Sequence, residues 1–282
     1  MDREIVLLVL CPLICGPMLF VGGLVRLVPP RARNAQHLEQ LRWSQLWLTL
    51  IPLAVGFAGV GGWALVEPEN AEAVPWPLFA AALPFLFIWI RAVSRAVRAL
   101  AFMPEVRTAA TVGLFFPRVV IAPGFRSSVD EAALGAAVGH ELAHARHRDP
   151  LRLWLAQFSA DLMWPASPAQ SRLRAWRRSL ELARDEESRR EGADGADLAA
   201  AVVAALRVTG GRSSAGAAAL TGEAAAIRQR VRRLLRPLPL AEQRSRGRLG
   251  WLVLATLAAV AAGALGATYG EAGVRLLLGG AS

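Results

Sequence analysis

The sequence predicts a mainly α-helical membrane protein with four spans and a polar α+β domain inserted between the third span and the fourth. Of the 282 residues, 54% are hydrophobic, and the mean hydropathy is +0.37. Ordinary soluble domains are less apolar than this. Uncharged apolar runs at 5–25, 46–66 and 249–270 are each close to the roughly 20 residues that cross a bilayer as one helix.

A further span is predicted over 74–95. Trp76 is placed to lie at one membrane interface, while Arg91 and Arg95 can extend their charged ends into the other. The chain is thereby divided into three regions: a membrane region over 1–98 with three spans, a polar domain over 99–248, and a fourth span at 249–270 with a short tail to 282.

The arginines determine the predicted orientation. The chain has no lysine, so arginine alone supplies the positive side of its net charge of +10. The loop over 26–45 carries four arginines and one acid, whereas the loop over 67–73 carries three glutamates and no base. Because cytoplasmic loops are the ones enriched in basic residues, we expect a multi-pass protein of the cell membrane with a cytoplasmic polar domain and both termini outside.

An arginine-rich run over 228–248 precedes the last predicted span. It contains eight arginines, a composition that is also found in nucleic-acid-binding tails. Its position beside a span favours contact with anionic lipid instead. The lipid bilayer is therefore a predicted partner, and direct nucleic-acid binding is not expected.

The polar domain is predicted to begin with two short strands within 106–125. Its residues there are mostly β-branched or apolar, with a break at Gly113 and a second strand at 118–122 before Pro-Gly. A helix should follow over 128–150, with Ser128 as its N-cap in a capping box. The remaining predicted elements are a helix at 151–164 capped by Asp149, a helix at 167–190 and a Gly/Ser/Ala loop at 210–223.

Three of the four histidines lie in the segment GHELAHARHRDP. His140 and His144 are four residues apart, so adjacent turns of one helix can direct both imidazoles at a single ion. Glu141 lies about 100° around the helix, where a general base can reach a metal-bound water without being a ligand. His147 is about 10 Å from His140 along the helix axis, too far to bind the same ion. The third ligand is therefore expected to be a carboxylate.

The segment LELARDEE offers a suitable carboxylate. Glu181 and Asp185 are four residues apart on a charged helix, so one face can carry a metal ligand and, one turn further, an acceptor that orients a metal-binding histidine. The alternative is a solvated face with ordinary salt bridges, which is the commoner meaning of this spacing. Partnership with the HExxH segment favours the metal site.

Three segments together resemble the BlaR/MecR family of membrane zinc metallopeptidases: GLFFPRVVIAPGF, AAVGHELAHARHRDP and SLELARDEE. The resemblance covers most of 1–270, including the four predicted spans. It implies a minigluzincin-like zinc metallopeptidase domain that binds one Zn²⁺ per chain. Well-known members continue into an extracellular penicillin-binding sensor, whereas here only a short tail follows the last predicted span, so direct β-lactam sensing is not expected.

The resemblance also implies roles for individual residues. His140, His144 and Glu181 would be the zinc ligands, Glu141 the catalytic base, and Asp185 the carboxylate that orients a zinc-binding histidine. In related gluzincins, the strand beside the active-site helix pairs with the extended substrate. That strand would consist of Arg118, Val119, Val120, Ile121 and Ala122.

These features lead us to expect a zinc endopeptidase that cleaves a protein substrate, such as a cytoplasmic transcriptional repressor, in regulated proteolysis. A homo-oligomer is also considered. One alternative is an HtpX-like quality-control protease, which combines the same elements. The other is a non-catalytic membrane signalling protein whose fold is stabilised by zinc. Beyond the metal, the sequence offers only arginines such as Arg184 as candidates for stabilising an oxyanion.

Overall fold

The computed structural model of the protein describes residues 3–32, 34–66, 75–101, 105–210, 217–237 and 248–277, and these residues are mainly helical. In chain order the elements are α1 (Arg3–Leu24), α2 (Ala35–Leu48), α3 (Ile51–Val66), α4 (Trp76–Ala101), β1 (Ala109–Val112), β2 (Arg118–Ile121), α5 (Pro123–Arg126), α6 (Glu131–Arg146), α7 (Asp149–Leu162), α8 (Ser167–Arg190), α9 (Gly195–Val208), α10 (Ala217–Leu234) and α11 (Arg248–Leu277).

Three helical segments of the described chain are long and apolar enough to cross a bilayer: Val6–Leu24, Ala35–Val66 and Trp76–Ala101. They overlap the first three predicted spans. The second segment starts earlier than predicted because α2 runs almost directly into α3. Helix α11 covers the fourth predicted span, but its apolar stretch, Leu257–Gly270, is shorter than the roughly 20 residues that cross a bilayer. The fourth span therefore stays a prediction.

Helix α2 occupies much of the segment that the sequence predicted as a loop. It begins after Asn34, whose side chain accepts a hydrogen bond from the His37 backbone N–H at 2.8 Å. The helix packs on α8, where the Trp43 and Trp176 rings lie 4.9 Å apart and Leu46 is buried beside them. Packing of this kind, more than local propensity, stabilises short helices, so the loop prediction for this part of the chain is wrong.

Helices α3 and α11 approach each other closely at glycines. A Cβ atom on Gly62 would collide with the Gly263 carbonyl, and one on Gly266 would collide with the Gly59 carbonyl. Small residues let helix backbones come together where side chains would otherwise separate them. The position of α11 against α3 therefore depends on these glycines.

Two contacts fix the polar domain to α1 and α4. The Arg172 guanidinium of α8 donates to the carbonyls of Gly22 and Gly23, at 3.1 and 3.3 Å, near the end of α1. These carbonyls belong to the last turn of a helix, where intrahelical donors are lacking. On α4, Arg95 donates to Asp161 of α7 at 3.0 Å. The domain is thereby attached to two of the candidate spans.

The two predicted strands are present as an antiparallel hairpin of β1 and β2. Gly113 leaves β1 with a φ of 97°, a conformation that glycine adopts without steric cost. The second strand is one residue shorter than predicted. It ends at Ile121, because Ala122 already precedes the turn of α5.

The helix that carries the histidines starts later than predicted. Asp130 is its N-cap and accepts from the Ala133 backbone N–H at 2.8 Å. Ser128 instead donates to the Phe125 carbonyl, so the predicted capping box is wrong. The chain then leaves the helical conformation at Arg148, which has a φ of 51°, and this residue separates α6 from α7.

Helix α8 has the bounds that were predicted for it, 167–190. The loop predicted at 210–223 is wrong in its second part, because α10 begins at Ala217. Three consecutive alanines open this helix, and alanine has the highest helix propensity of all residues. Residues 211–216 lie outside the described residues.

We expect Gly62→Ala to destabilise the protein by about 1–3 kcal/mol, as overpacking does, whereas Gly61→Ala should not. Gly61 is the matched control because a Cβ there meets nothing within 4 Å. Both variants gain the same helix propensity, so their difference isolates the contact with α11. Unfolding of the full chain in detergent measures this difference, and equal stabilities would contradict the packing described here.

Candidate metal centre

Two buried imidazoles face each other at the centre of the polar domain. His140 and His144 lie on adjacent turns of α6, and their Nε2 atoms are 3.1 Å apart. The helix places them as the i, i+4 spacing predicts. Two imidazole nitrogens this close can share one cation as ligands.

A carboxylate from α8 completes the cluster. Glu181 Oε2 lies 3.5 Å from His140 Nε2, and Oε1 lies 3.7 Å from His144 Nε2. Metal bonds of 2.0–2.1 Å in a tetrahedral site imply ligand atoms about 3.3 Å apart. The three ligand atoms lie within 4.8 Å of one another, so the predicted trio forms a group that could hold a metal ion.

Each histidine has its other ring nitrogen bound to a buried carboxylate. His140 Nδ1 donates to Asp185 at 3.0 Å, and His144 Nδ1 donates to Asp149 at 2.9 Å. A proton held on Nδ1 makes Nε2 the ring nitrogen that faces the cluster and can become a metal ligand. This pairing fits a metal site, because protein histidines that bind metals usually have such an acceptor behind them.

Asp149 belongs to the candidate site, which the sequence pattern did not predict. It was predicted only as a helix cap, whereas its carboxylate accepts from His144 and from Arg184, whose Nε lies 2.5 Å and Nη2 3.0 Å from the two oxygens. Burial raises the pKa of Asp149, but the His144 and Arg184 hydrogen bonds outweigh burial and hold it well below its usual range. The sequence feature that could have indicated this role is the position of Asp149, five residues after His144.

Arg230 of α10 is the second residue that was missed. Its guanidinium donates to both oxygens of Asp185 at 2.7 and 2.8 Å, and Nη1 lies 2.9 Å from Glu181. Nη2 also lies 3.1 Å from His140 Nε2. The sequence had placed this arginine in a lipid-facing run. In the structure it is a positive charge beside the candidate ligands.

The charges of the cluster shift its proton equilibria. Burial and Arg230 lower the pKa of His140, but hydrogen bonds with Asp185 and Glu181 outweigh them and raise it to about 9. Partial desolvation raises the pKa of Glu181, but Arg230 and the two histidines together bring it well below its usual range. Glu181 is therefore ionised at neutral pH, as a metal ligand must be.

Glu141 lies next to the cluster but outside the candidate ligand set. Its Oε2 is 2.8 Å from the hydroxyl of Thr111, which can donate either to that oxygen or to the Glu141 carbonyl at 2.7 Å. Thr111 belongs to β1, so the first strand of the hairpin contacts the α6 helix here. The Glu141 side chain is therefore oriented by β1 and not by the candidate ligands.

A cavity of about 420 Å³ opens onto these residues. His140, Glu141, His144 and Glu181 line one side, and Glu181 keeps 41% of its side chain exposed. Helix α9 contributes an apolar wall, and Arg230 is the one arginine among the described lining residues. A cluster open on one side leaves room for a molecule besides the protein ligands, as catalytic metal sites do.

The strand residues beside the cavity are not the predicted ones. Residues 108–111, in and before β1, line it, whereas none of 118–122 is among the described lining residues. The substrate role predicted for 118–122 stays a prediction. The sequence pattern does not show which of the two paired strands faces α6, because this depends on tertiary packing.

Two further side chains lie away from the cavity. His147 is the C-cap of α6 and lies 2.9 Å from Glu187, with 41% of its side chain exposed. It is not part of the group of described residues that could hold a metal ion. Arg184, considered as an oxyanion-stabilising residue, is buried against Asp149 and is not among the described residues that line the cavity.

Searches of protein-family models, curated proteins and solved structures give no match to this chain.

We expect metal affinity to rise with pH until about pH 9, where His140 loses its proton. At pH 8 the metal-free His140 is still protonated, so binding must release this proton. Calorimetric zinc titrations of the full chain in buffers of different ionisation enthalpy count the released protons. A histidine with the ordinary pKa of about 6.5 would be almost unprotonated at pH 8, so the absence of proton release would contradict the shift.

Glu181→Gln should weaken zinc binding by at least about 10-fold, because it removes an ionised ligand. Glu186→Gln on the same helix is the matched control. Its carboxylate accepts from the Ala35 backbone N–H and takes no part in the cluster. Competition with a chromogenic chelator measures both affinities. Equal zinc affinities for the two variants would exclude Glu181 as a ligand.

Proposed function

We propose that the protein is a membrane-bound zinc endopeptidase that cleaves a protein substrate on the cytoplasmic side. The observation that carries the proposal is the ligand trio of His140, His144 and Glu181 facing an open cavity, with Glu141 beside it and outside the trio. A nucleophile, a base and a substrate can meet in such a cavity. A purely structural zinc site would instead be closed by a fourth protein ligand.

Two imidazoles and one carboxylate suit zinc in a three-ligand catalytic site. Zinc, when bound, supplies Lewis-acid activation of water and of the peptide carbonyl. Glu141 takes a proton from the attacking water and later returns it to the leaving amine. The Thr111 hydroxyl can donate to its carboxylate and so restrict its orientation, and the two histidines are oriented by Asp185 and Asp149.

The outer edge of β1 is suited to bind an extended peptide. The Ala122 N–H donates to the Thr108 carbonyl at 3.0 Å, and hydrogen-bonded pairs alternate along an antiparallel ladder. Ala109 and Thr111 therefore direct their backbone groups away from β2. Among the described residues no third strand pairs with them. We propose that the substrate pairs with this edge and not with 118–122.

The membrane setting supports a regulatory protease. The proposal includes four spans, a cytoplasmic peptidase domain and outside termini, on the basis of the arginine distribution and the apolar helices. The resemblance to the BlaR/MecR family suggests a cytoplasmic transcriptional repressor as substrate. The apolar α9 wall favours cleavage next to an apolar residue, since apolar side chains bind in apolar pockets.

Glu141→Gln should keep zinc and lose cleavage, by a factor of about 10² to 10⁴, as expected for a general base, whereas His140→Ala should lose both. Zinc content is measured on the purified chain. Cleavage is measured by comparing the new protein N-termini in cells that express wild type, Glu141→Gln or no protein.

The outcomes separate the proposed function from its alternatives. N-termini confined to one or a few regulators support the proposal, and a broad set of membrane proteins would favour quality control. Identical N-termini for wild type and Glu141→Gln would contradict the assignment of the base. A biological response that survives Glu141→Gln but not His140→Ala would indicate a non-catalytic zinc protein.

A further inference from the structure

A buried acid on α2 lies outside the cavity and has no role in the proposed reaction. Glu39 is 5% exposed and is not among the described residues that line the cavity. Its Oε1 accepts from Trp176 Nε1 at 3.0 Å and from Arg152. Burying a carboxylate costs free energy unless the carboxylate is paired and hydrogen-bonded. The buried position of Glu39 therefore depends on these two partners.

Arg152 of α7 contacts two adjacent aromatic rings and binds two carboxylates. Its guanidinium carbon lies 4.5 Å from the Trp43 ring and 5.6 Å from the Trp176 ring. One end bonds Glu39, and Nη1 donates to Asp149 at 2.8 Å. Since Trp43 and Glu39 both belong to α2, this helix determines where the guanidinium lies.

The next link is the carboxylate that orients a candidate metal ligand. Asp149 is 0% exposed. Its Oδ1 accepts from Arg152 and Arg184, while its Oδ2 accepts from Arg184 and His144. Two arginines on one carboxylate fix its rotation, and its rotation fixes the His144 ring.

We infer that Glu39 is a positioning residue for the metal centre and acts on His144 through Arg152 and Asp149. The inference rests on the proposed zinc site and adds α2 to it. Because α2 leads directly into α3, a candidate span, the helix that enters the membrane also supports a metal ligand. A displacement of α2 changes the orientation of His144.

Removing the charge of Glu39 should weaken metal binding. In Glu39→Gln, Arg152 keeps its aromatic contacts but loses its ionic anchor, so Asp149 is less firmly held. Partners behind a metal ligand typically affect affinity by about 10- to 100-fold, and we expect about 10-fold for this more distant residue. Arg152→Gln should have the same effect, and the double variant should show no further loss, because both residues act along one path.

The test is a competition titration of Zn²⁺ with the full chain in detergent, together with the visible spectrum of its Co²⁺ form. The spectrum reports ligand geometry, which a merely structural role of Glu39 would not alter. Glu186→Gln is the matched control, since Glu186 also ties α2 to α8, at Ala35, without touching Arg152. Arg152→Gln replaces Glu39→Gln if the latter does not fold.

Weaker zinc binding and an altered cobalt spectrum in Glu39→Gln, with both unchanged in Glu186→Gln, support the inference. Wild-type affinity and spectrum in Glu39→Gln would overturn it while leaving the proposed function intact. Equal losses in Glu39→Gln and Glu186→Gln would overturn it as well, because they would indicate general loosening of α2. A wild-type chain that binds neither metal would overturn both the inference and the proposed function.

Discussion

The hydrogen bond between His144 and the buried carboxylate of Asp149 is the interaction on which the rest of the polar domain depends. A fully buried carboxylate requires compensating partners, and Arg184 and Arg152 supply them. Arg184 is buried and Arg152 is half-buried, and each binds a further acid, Glu187 for Arg184 and Glu39 for Arg152. The packing of α2, α6, α7 and α8 follows from these charges. Loss of one member of a buried pair costs about 3–5 kcal/mol, so alternative arrangements of these helices are strongly disfavoured.

The candidate metal centre uses the same arrangement twice. Each histidine presents Nε2 to the cluster and binds a carboxylate through Nδ1, but the two carboxylates have different surroundings. Asp185 is paired with Arg230 from α10, whereas Asp149 is held by arginines of α7 and α8. His140 is thus supported through an arginine of α10, whereas His144 is supported through arginines of α7 and α8, next to α2.

Features set by short spacings were predictable from the sequence. The i, i+4 spacing of His140 and His144 and the Glu181–Asp185 pair depend only on helix geometry, and the structure brings all four together. Composition alone indicated the apolar helices. The role of Asp149 could not be predicted from the sequence. A side chain at the start of a helix can either cap that helix or contact the preceding helix.

The remaining features depend on tertiary contacts. Arg230 is 45 residues from Asp185 and lies among arginines that are equivalent by local sequence. Helix α2 forms because Trp43 and Leu46 pack on α8, which no local pattern reveals. Which strand lines the cavity likewise depends on which strand contacts α6. In the structure this is β1, through the contact of Thr111 with Glu141.

The most direct test of the central claim is zinc X-ray absorption on the purified full chain, with the metal content measured on the same sample. We expect about one zinc per chain, two imidazoles and only nitrogen and oxygen donors at about 2.0–2.1 Å. His144→Ala should lose this signal. A chain without zinc, a site with sulfur donors, or an unchanged spectrum in His144→Ala would contradict the metal centre described here.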